Sequence, residues 1–588
     1  MRDIIVIGSG AGGAVVAKEL AARGLDVLVL EAGAHHRDSE RDFTHFEIDQ
    51  NSAFNGVFRF GPSDRARQSW ARDLPQHSAI AQLAGVGGTT LHYFGNSPRA
   101  MPGAFRDYTR SDRAAYDRAH QFPFSYQELI PYYEWVEETL PVQTAAMGTK
   151  EEIFLNAAES IGLRHQTRKD VARDGFRAQE NAILQPQGLA GRTEDPRLVQ
   201  FPISRGCVFC GHCLQGCNLP LRAPRNLKAK RSMDNSYIPM ALTADRWARH
   251  GKAITLVPNA FAVQIQTDDA GRANGVTWRN TVTGELTTET AKVVVLSAGC
   301  VESPRLWLNS SLPNPNDWVG RGLTDHHFDL VIGILPHDSG ASRGPSSAAR
   351  ADFPGHGSLE QVGVGPAGAA QFFSLTDSGS IGLYDNGAPV GPAGADVVGR
   401  RAGRALKDFL RDIDRLMVVL AITDDDVEAQ NRVSLSPAFP ADEHGPIPRV
   451  VINGRGRSAR TKANREFLTR KAVEIVRAAG GASVTRVNFA PLLLHMQSSM
   501  RMGERADNSV LDESGEARWV KRLFVADGSA LANAIGGPNP TLTIDAVATR
   551  TAEKIFRRYF DGDPWVHFER PVSSIDPKVT LAVLARGL

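Results

Sequence analysis

The chain has only five cysteines in 588 residues, too few for the disulfide framework of a small secreted fold. It also lacks an excess of either charge: 67 basic and 65 acidic residues leave a formal +2. Proteins that grip nucleic acid usually carry a basic surplus, so this balance speaks against nucleic acid and gives no footing on an anionic membrane. No apolar run reaches the roughly 18 residues that suggest a membrane-spanning helix. The first run, after Arg2, breaks at Gly8, short of a signal-peptide core. Internal repeats are missing as well. The composition, 42% hydrophobic and 22% charged, is ordinary for globular protein and excludes a collagen, a coiled coil or a disordered chain. The expectation is a soluble, cytoplasmic chain of several domains that does not itself span a membrane.

Glycine is abundant, at 55 residues, and some of it is placed with purpose. Ile4–Ile7 reads as a buried strand, Gly8-Ser-Gly-Ala-Gly-Gly13 as a turn, Ala14–Arg23 as a helix stopped by Gly24, and Val27–Leu30 as a second buried strand ending at Glu31. That is the first βαβ unit of a dinucleotide fold. Gly8 suits the tight turn, Gly10 lets backbone approach a pyrophosphate, and Gly13 lets helix and strand pack closely. The helix N-terminus offers free N–H groups to the diphosphate. Glu31 stands where an acid accepts hydrogen bonds from the adenosine ribose. The motif alone does not separate FAD from NAD.

Further along, residues 36–80 are polar without a clear period, and Gly85–Thr90 is a second glycine-rich turn. Residues 126–160 read as helical. Ile254–Val257, Ala262–Gln266, Gly275–Arg279 and Lys292–Leu296 read as a β meander. Residues 335–405 resist placement. Arg432–Ser436 reads as a strand, Ala463–Ala479 as a helix with a basic face, and Thr541–Phe556 as a closing helix.

The N-terminal unit, with Gly85-VGGTTLHYFGNSPR99, LLHMQSSMRMG503 and LFVADGSALANAIGGPNPTLTI544, resembles the glucose–methanol–choline oxidoreductases. The resemblance runs from Met1 to about Phe560. It implies an α/β protein with a Rossmann-type FAD-binding domain and a substrate-binding domain built on an antiparallel sheet, the two-domain architecture also seen in p-hydroxybenzoate hydroxylase-like proteins. Mapped on this chain, residues 1–320 form the first part of the FAD domain, with insertions at about 36–80 and 105–205. Residues 321–490 form the substrate domain, 491–560 return to the FAD domain with the catalytic residues, and 561–588 form a tail.

By the same resemblance His495 is the general base and Asn539, 44 residues on, orients the substrate hydroxyl. The His/Asn choice is similar to the cholesterol oxidase and pyranose oxidase branches. Imidazole titrates near neutrality and suits the proton step; an amide offers donor and acceptor without titrating. Gly87, Gly88, Thr89, Thr90, His92 and Asn96 fall on the flavin-binding segment. Val263 is the position whose backbone would meet the adenine. Asp527 and Gly528 would approach the ribityl chain and diphosphate. Pro540 and Thr541 would start a helix aimed at the flavin pyrimidine, where reduced flavin gathers negative charge. His92 matches the histidine that carries flavin covalently in pyranose oxidases; a covalent link, a non-covalent flavin contact and simple packing all stay open for it.

Four of the five cysteines lie at Cys207, Cys210, Cys213 and Cys217, the C-x2-C-x2-C-x3-C spacing of a bacterial ferredoxin. Asn218 stands where a ferredoxin has proline. An iron–sulfur cluster, another metal such as zinc, and free structural thiols remain open, with His212 as an extra ligand or a neighbour. Cys300 reads as a buried structural thiol. The basic residues after Asn226 read as a solvated face, or as a docking patch for an electron acceptor.

The expected reaction is oxidation of a CH–OH group of a small-molecule alcohol, sugar or glycoside to a carbonyl. Oxygen, a quinone or a redox protein is left open as electron acceptor. A flavin-dependent lyase or decarboxylase and an electron-relay flavoprotein subunit are the alternatives.

Overall fold

The computed structural model describes residues 1–38, 79–166, 173–186, 206–217, 219–363, 365–366, 369, 390–399, 401–452, 457–487 and 492–588. Most of the polar stretch 36–80, part of the 105–205 insertion and Asn218 therefore lie outside the described residues.

Arg2–Ile7 lies between two parallel neighbours, Val27–Leu30 and Leu286–Leu296. Thr255–Val257 extends the parallel sheet beyond Val27–Leu30, and Leu523–Val525 pairs with the end of Leu286–Leu296. Such strands are covered on both faces, which is why Ile4–Ile7 and Val27–Leu30 are continuous apolar runs. The shared strand Leu286–Leu296 does two jobs. Its polar first half pairs antiparallel with Ala273–Asn280, and its apolar second half joins the parallel sheet. The meander thus consists of Ala260–Thr267, Ala273–Asn280 and Leu286–Leu296. The segment read as its first strand belongs to the parallel sheet instead, because Leu256 and Val257 pack beside Val27–Leu30.

The second sheet has seven strands, in the order Val397–Val398, Ala482–Val487, Asp329–Ile334, Leu416–Thr423, Gly357–Val362, Ser347–Phe353 and Gly175–Ala178. It is antiparallel apart from the first pair. Its last strand comes from the segment read as an insertion in the FAD domain. Helix Ala459–Ala478 covers one face, where Ala349, Ala351 and Leu359 join Val331, Val419, Leu468 and Val476 in a buried cluster. Alternation along the strand turns Arg350 and Asp352 to the opposite face, with Glu360 paired across from Arg350. That face is buried too: Arg350 and Glu360 are both 0% exposed. Among the described residues, no helix is long and apolar enough to cross a membrane.

The glycine turn is the tightest junction. Helix Ala11–Ala21 begins directly after Gly10, and Gly8 has φ +97°. A Cβ on Gly12 would lie 1.4 Å from the Ala526 carbonyl oxygen, and one on Gly13 would lie 2.1 Å from the Gly8 carbonyl. At Gly10 the nearest atom to a Cβ is the Gly88 Cα, at 3.7 Å. Backbone carbonyls cannot rotate aside as side chains can. Gly12→Ala is therefore expected to cost about 3 kcal/mol or more, whereas Gly10→Ala is expected to leave unfolding within about 1 kcal/mol of the parent. Urea unfolding of the two variants checks this; equal effects would contradict it.

Candidate functional site

One cavity of about 300 Å³ runs from the glycine turn to His495. It lies at the C-terminal ends of the parallel strands, where open α/β sheets hold ligands. At one end are Gly8, Gly10 and Glu31; along its wall are Gly88, Thr89, Thr90, His92 and Asn96; at the other end are Asp527, Gly528, His495, Asn539, Pro540 and Thr541. Gly13, Gly87 and Val263 do not line it. Gly13 serves the packing described above, and Gly87 donates its N–H to Ser9 Oγ at 3.1 Å. The Val263 carbonyl accepts from Asn309 at 2.9 Å, while its neighbours Ala260, Phe261 and Ala262 line the wall.

Glu31 binds the two glycine segments together. One carboxylate oxygen accepts from Ser9 N–H (3.0 Å) and Ser9 Oγ–H (2.6 Å), the other from Gly33 N–H (3.0 Å) and Gly85 N–H (3.1 Å). Burial pushes its pKa up, and these donors pull against that. The first turn of helix Ala11–Ala21 has neither a side-chain cap nor an acid. Its N-terminus meets the cavity as a bare positive pole, suited to a diphosphate. At the far end helix Thr541–Phe560 starts after Pro540, again without a side-chain cap or an acid in its first turn. Asp527 is engaged otherwise: it accepts from Gly299 N–H at 2.8 Å and Ser303 Oγ–H at 2.6 Å, holding the start of helix Gly299–Asn309.

The His495 and Asn539 side chains meet here: Asn539 Nδ2 is 3.5 Å from His495 Nε2. Burial, then His326 and Arg350, hold the His495 pKa well below the ordinary imidazole value, so the ring is neutral. Residues that sequence reasoning missed surround the pair. His326 Nδ1 is 2.9 Å from His495 Nδ1. Asp325 accepts the His495 backbone N–H at 2.6 Å, and burial pushes its carboxyl up to about 7. Arg350 Nη1 reaches Asn539 Oδ1 at 3.4 Å and pairs with Asp352 (2.8 Å) and Glu360 (3.4 Å). Glu360 accepts from Asn96 Nδ2 at 2.9 Å. Asp325-His326-His327 was a visible signal, two histidines after an acid; Arg350 and Glu360 stood in the stretch that resisted placement.

His92 Nδ1 donates to the Leu214 carbonyl at 2.5 Å, and burial, reinforced by Lys230, pulls its pKa down to about 3. Leu214 belongs to the cysteine loop. Lys230 fastens that loop to the His92 segment: its ammonium donates to the carbonyls of Leu91 (2.8 Å), Tyr93 (2.8 Å) and Cys213 (2.7 Å). This corrects the reading of the basic run as a solvated face or a docking patch. Lys228, Lys230 and Arg231 are all buried.

The four cysteines are free of disulfides. Burial raises the pKa of Cys207, Cys210 and Cys213, so these thiols keep their protons. Cys207 and Cys213 pack with Ala146, Ile183 and Phe209. Among the described residues, no three His, Cys, Asp or Glu side chains come together in a way that could hold a metal ion. The ferredoxin-like spacing therefore does not become a metal-binding geometry among the described residues; Cys207 and Cys213 turn into apolar packing, and the Cys217 thiol donates to the Leu219 carbonyl at 3.8 Å. Cys300 is buried but also lines the cavity, with its thiol donating to the Met496 carbonyl at 3.0 Å.

Family models agree with this geometry. GMC oxidoreductase models match residues 203–328 and 427–548, and a model of NAD(P)-binding Rossmann-like domains matches residues 6–63. The chain belongs to the glucose–methanol–choline oxidoreductase family. Relatives with family-wide coverage include the 2-methyl-1,2-propanediol dehydrogenase of Mycolicibacterium austroafricanum, 26% identical across 95% of this chain and 96% of that protein. The 6'''-hydroxyparomomycin C oxidase of Streptomyces lividus is 25% identical, across 94% and 91%. The fructose dehydrogenase large subunit of Gluconobacter japonicus is 25% identical, across 95% and 98%. In fold, this GMC chain is similar to the crystal structure of pyridoxine 4-oxidase from Mesorbium loti, with TM-score 0.60 and 15% identity over 96% of this chain and 100% of that one.

Burial, reinforced by Asp352, raises Glu360 to about 7 against the pull of Arg350. Its folded pKa exceeds the unfolded value of roughly 4.3. The stability it contributes is therefore complete below about pH 4.3 and is lost as pH rises through about 7. Glu360→Gln removes that titration. Its stability relative to the parent is expected to rise by about 2–3 kcal/mol between pH 5 and pH 9, read by denaturant unfolding at both pH values; a constant difference would contradict the assignment.

Proposed function

We propose that this chain is an FAD-dependent oxidoreductase that oxidises a CH–OH group of a small molecule to a carbonyl, with His495 as the base. The observation that carries the reading is the neutral His495 beside Asn539, opening on the same cavity as the uncapped helix of the glycine turn.

The residues present fit FAD. Gly10 leaves room where a side chain would intrude, the bare helix start faces that room, and Glu31 stands at the end of the second strand. When bound, FAD supplies the acceptor for the hydride that leaves the substrate carbon. His495 takes the hydroxyl proton at Nε2. Asn539 turns Oδ1 to Arg350, so its Nδ2–H is presented toward His495 and the substrate oxygen. The buried surroundings exclude water and strengthen both contacts. We further propose that His92, which lines the cavity beside Thr89 and Thr90 and is held there through Leu214, contacts the flavin. Acid precipitation reads the nature of that contact, since flavin stays with the pellet only if it is bonded. The cysteines are proposed to act as packing for the Leu214–His92 wall, and iron and sulfide analysis of the purified protein is expected to find neither in stoichiometric amount.

The substrate class is an alcohol, diol or sugar, in line with relatives named for 2-methyl-1,2-propanediol and fructose. Anaerobic mixing with a panel of diols, sugars and amino sugars is expected to bleach the flavin bands. His495→Ala is expected to slow bleaching by about 10²–10⁴-fold with flavin content unchanged. Gly10→Val is expected to give folded protein without flavin. Bleaching by no alcohol, or equal bleaching in His495→Ala, would contradict the proposal.

A further inference from the structure

We infer that His326 is a positioning residue that fixes the tautomer of His495 and so places the lone pair of the base toward the substrate. The inference rests on the reading of His495 as the base and deepens it.

The argument is one of donors and acceptors. The Ala534 carbonyl, 3.2 Å from His326 Nε2, can only accept. His326 Nε2 therefore carries the hydrogen. The His326 ring is 1% exposed and neutral, so its Nδ1 is a bare acceptor. That atom lies 2.9 Å from His495 Nδ1, which must then be the donor. The neutral His495 is left with its lone pair on Nε2, the nitrogen facing Asn539. Gln497 Nε2 lies 3.3 Å from His326 Nε2, the nitrogen bonded to Ala534, and directs one of its two hydrogens to the His495 carbonyl at 3.1 Å. Among the described residues no carboxylate oxygen takes this place: Asp325 accepts the His495 backbone N–H instead.

The geometry is held from both sides. The rings are nearly perpendicular, at 84° with centroids 5.0 Å apart. Phe328 packs edge-on against both. The two segments that carry the histidines are bonded directly, Thr324 N–H to the Gln497 carbonyl at 2.9 Å and Gln497 N–H to the Thr324 carbonyl at 2.8 Å. When His495 accepts the hydroxyl proton at Nε2, its Nδ1–H still points into the His326 lone pair. No proton needs to travel along the chain; the bond holds the ring and shares its new charge.

The test contrasts two replacements in the flavin-loaded protein. Asn sets its side-chain oxygen near the place of imidazole Nδ1, whereas Gln reaches the place of Nε2 and leaves His495 without its acceptor. His326→Asn is expected to keep kcat within about 10-fold of the parent, and His326→Gln to lose about 10²-fold with KM changed less than about 3-fold. Equal kcat for the two variants would overturn the inference, while His495→Ala with undiminished bleaching would overturn the underlying reading instead. A second measurement needs neither variant to fold. Imidazole ¹⁵N NMR of ¹⁵N-histidine-labelled parent protein, with the His495 signals identified by their loss in His495→Asn, is expected to show His495 protonated on Nδ1. Protonation on Nε2 would overturn the inference.

Discussion

Backbone meets backbone at the glycine turn, and the placement of everything else depends on that contact. Gly12 sits against the Ala526 carbonyl, Gly13 against the Gly8 carbonyl, and a Cβ on Gly88 would lie 2.7 Å from the Gly10 Cα. Three distant segments, around residues 10, 88 and 526, thereby converge with no side chain between them. The first sheet supplies the strand ends, the helix supplies a positive pole, and Glu31 ties the first two segments with three hydrogen bonds. The Leu523–Val525 strand is followed by Ala526, Asp527 and the run to Asn539, so this junction also sets where the Asn539 amide stands.

The second sheet closes the site with charge rather than with oil. Arg350, Asp352 and Glu360 occupy the face away from helix Ala459–Ala478 and are buried. A charge there is tolerable only when paired and hydrogen-bonded, and the network does this through Asn96 and Asn539. The amide of Asn539 is thus oriented by groups that have no contact with solvent. The same burial keeps His495 and His326 neutral, so one environment governs both the proposed base and its alignment. On the other wall, Lys230 gives its ammonium to three carbonyls and locks the cysteine loop beneath His92.

The glycine turn, Glu31 and the His495/Asn539 pair were legible because each has a local or motif-borne signature, whereas the antiparallel second sheet came only with the family resemblance. A turn needs glycine, a parallel strand needs an unbroken apolar run, and a family motif fixes a spacing. His326, Arg350 and Glu360 were not legible, because long-range pairing defines their role. Ser347–Phe353 lies in the stretch that resisted placement; Ala349 and Ala351 alternate there with Arg350 and Asp352, a pattern that does not announce a buried polar side. Its polar side is engaged by residues far away in the chain, Arg177 and Gln179 on one neighbour and Asn539, 189 positions from Arg350. Lys230 misled in the same way: a basic run is usually solvated, and nothing local says that three carbonyls wait for it. The cysteine spacing suggested ligands, yet the packing of Cys207 and Cys213 against apolar side chains is a property of the folded loop that spacing does not encode.

The most direct measurement is a crystal structure of the protein with FAD and a slowly reacting alcohol bound. The account predicts the diphosphate against the backbone N–H groups at the start of helix Ala11–Ala21. It also predicts the alcohol oxygen between His495 Nε2 and Asn539 Nδ2, with its carbon facing the flavin ring. An alcohol held away from His495, or a diphosphate remote from the glycine turn, would contradict the account.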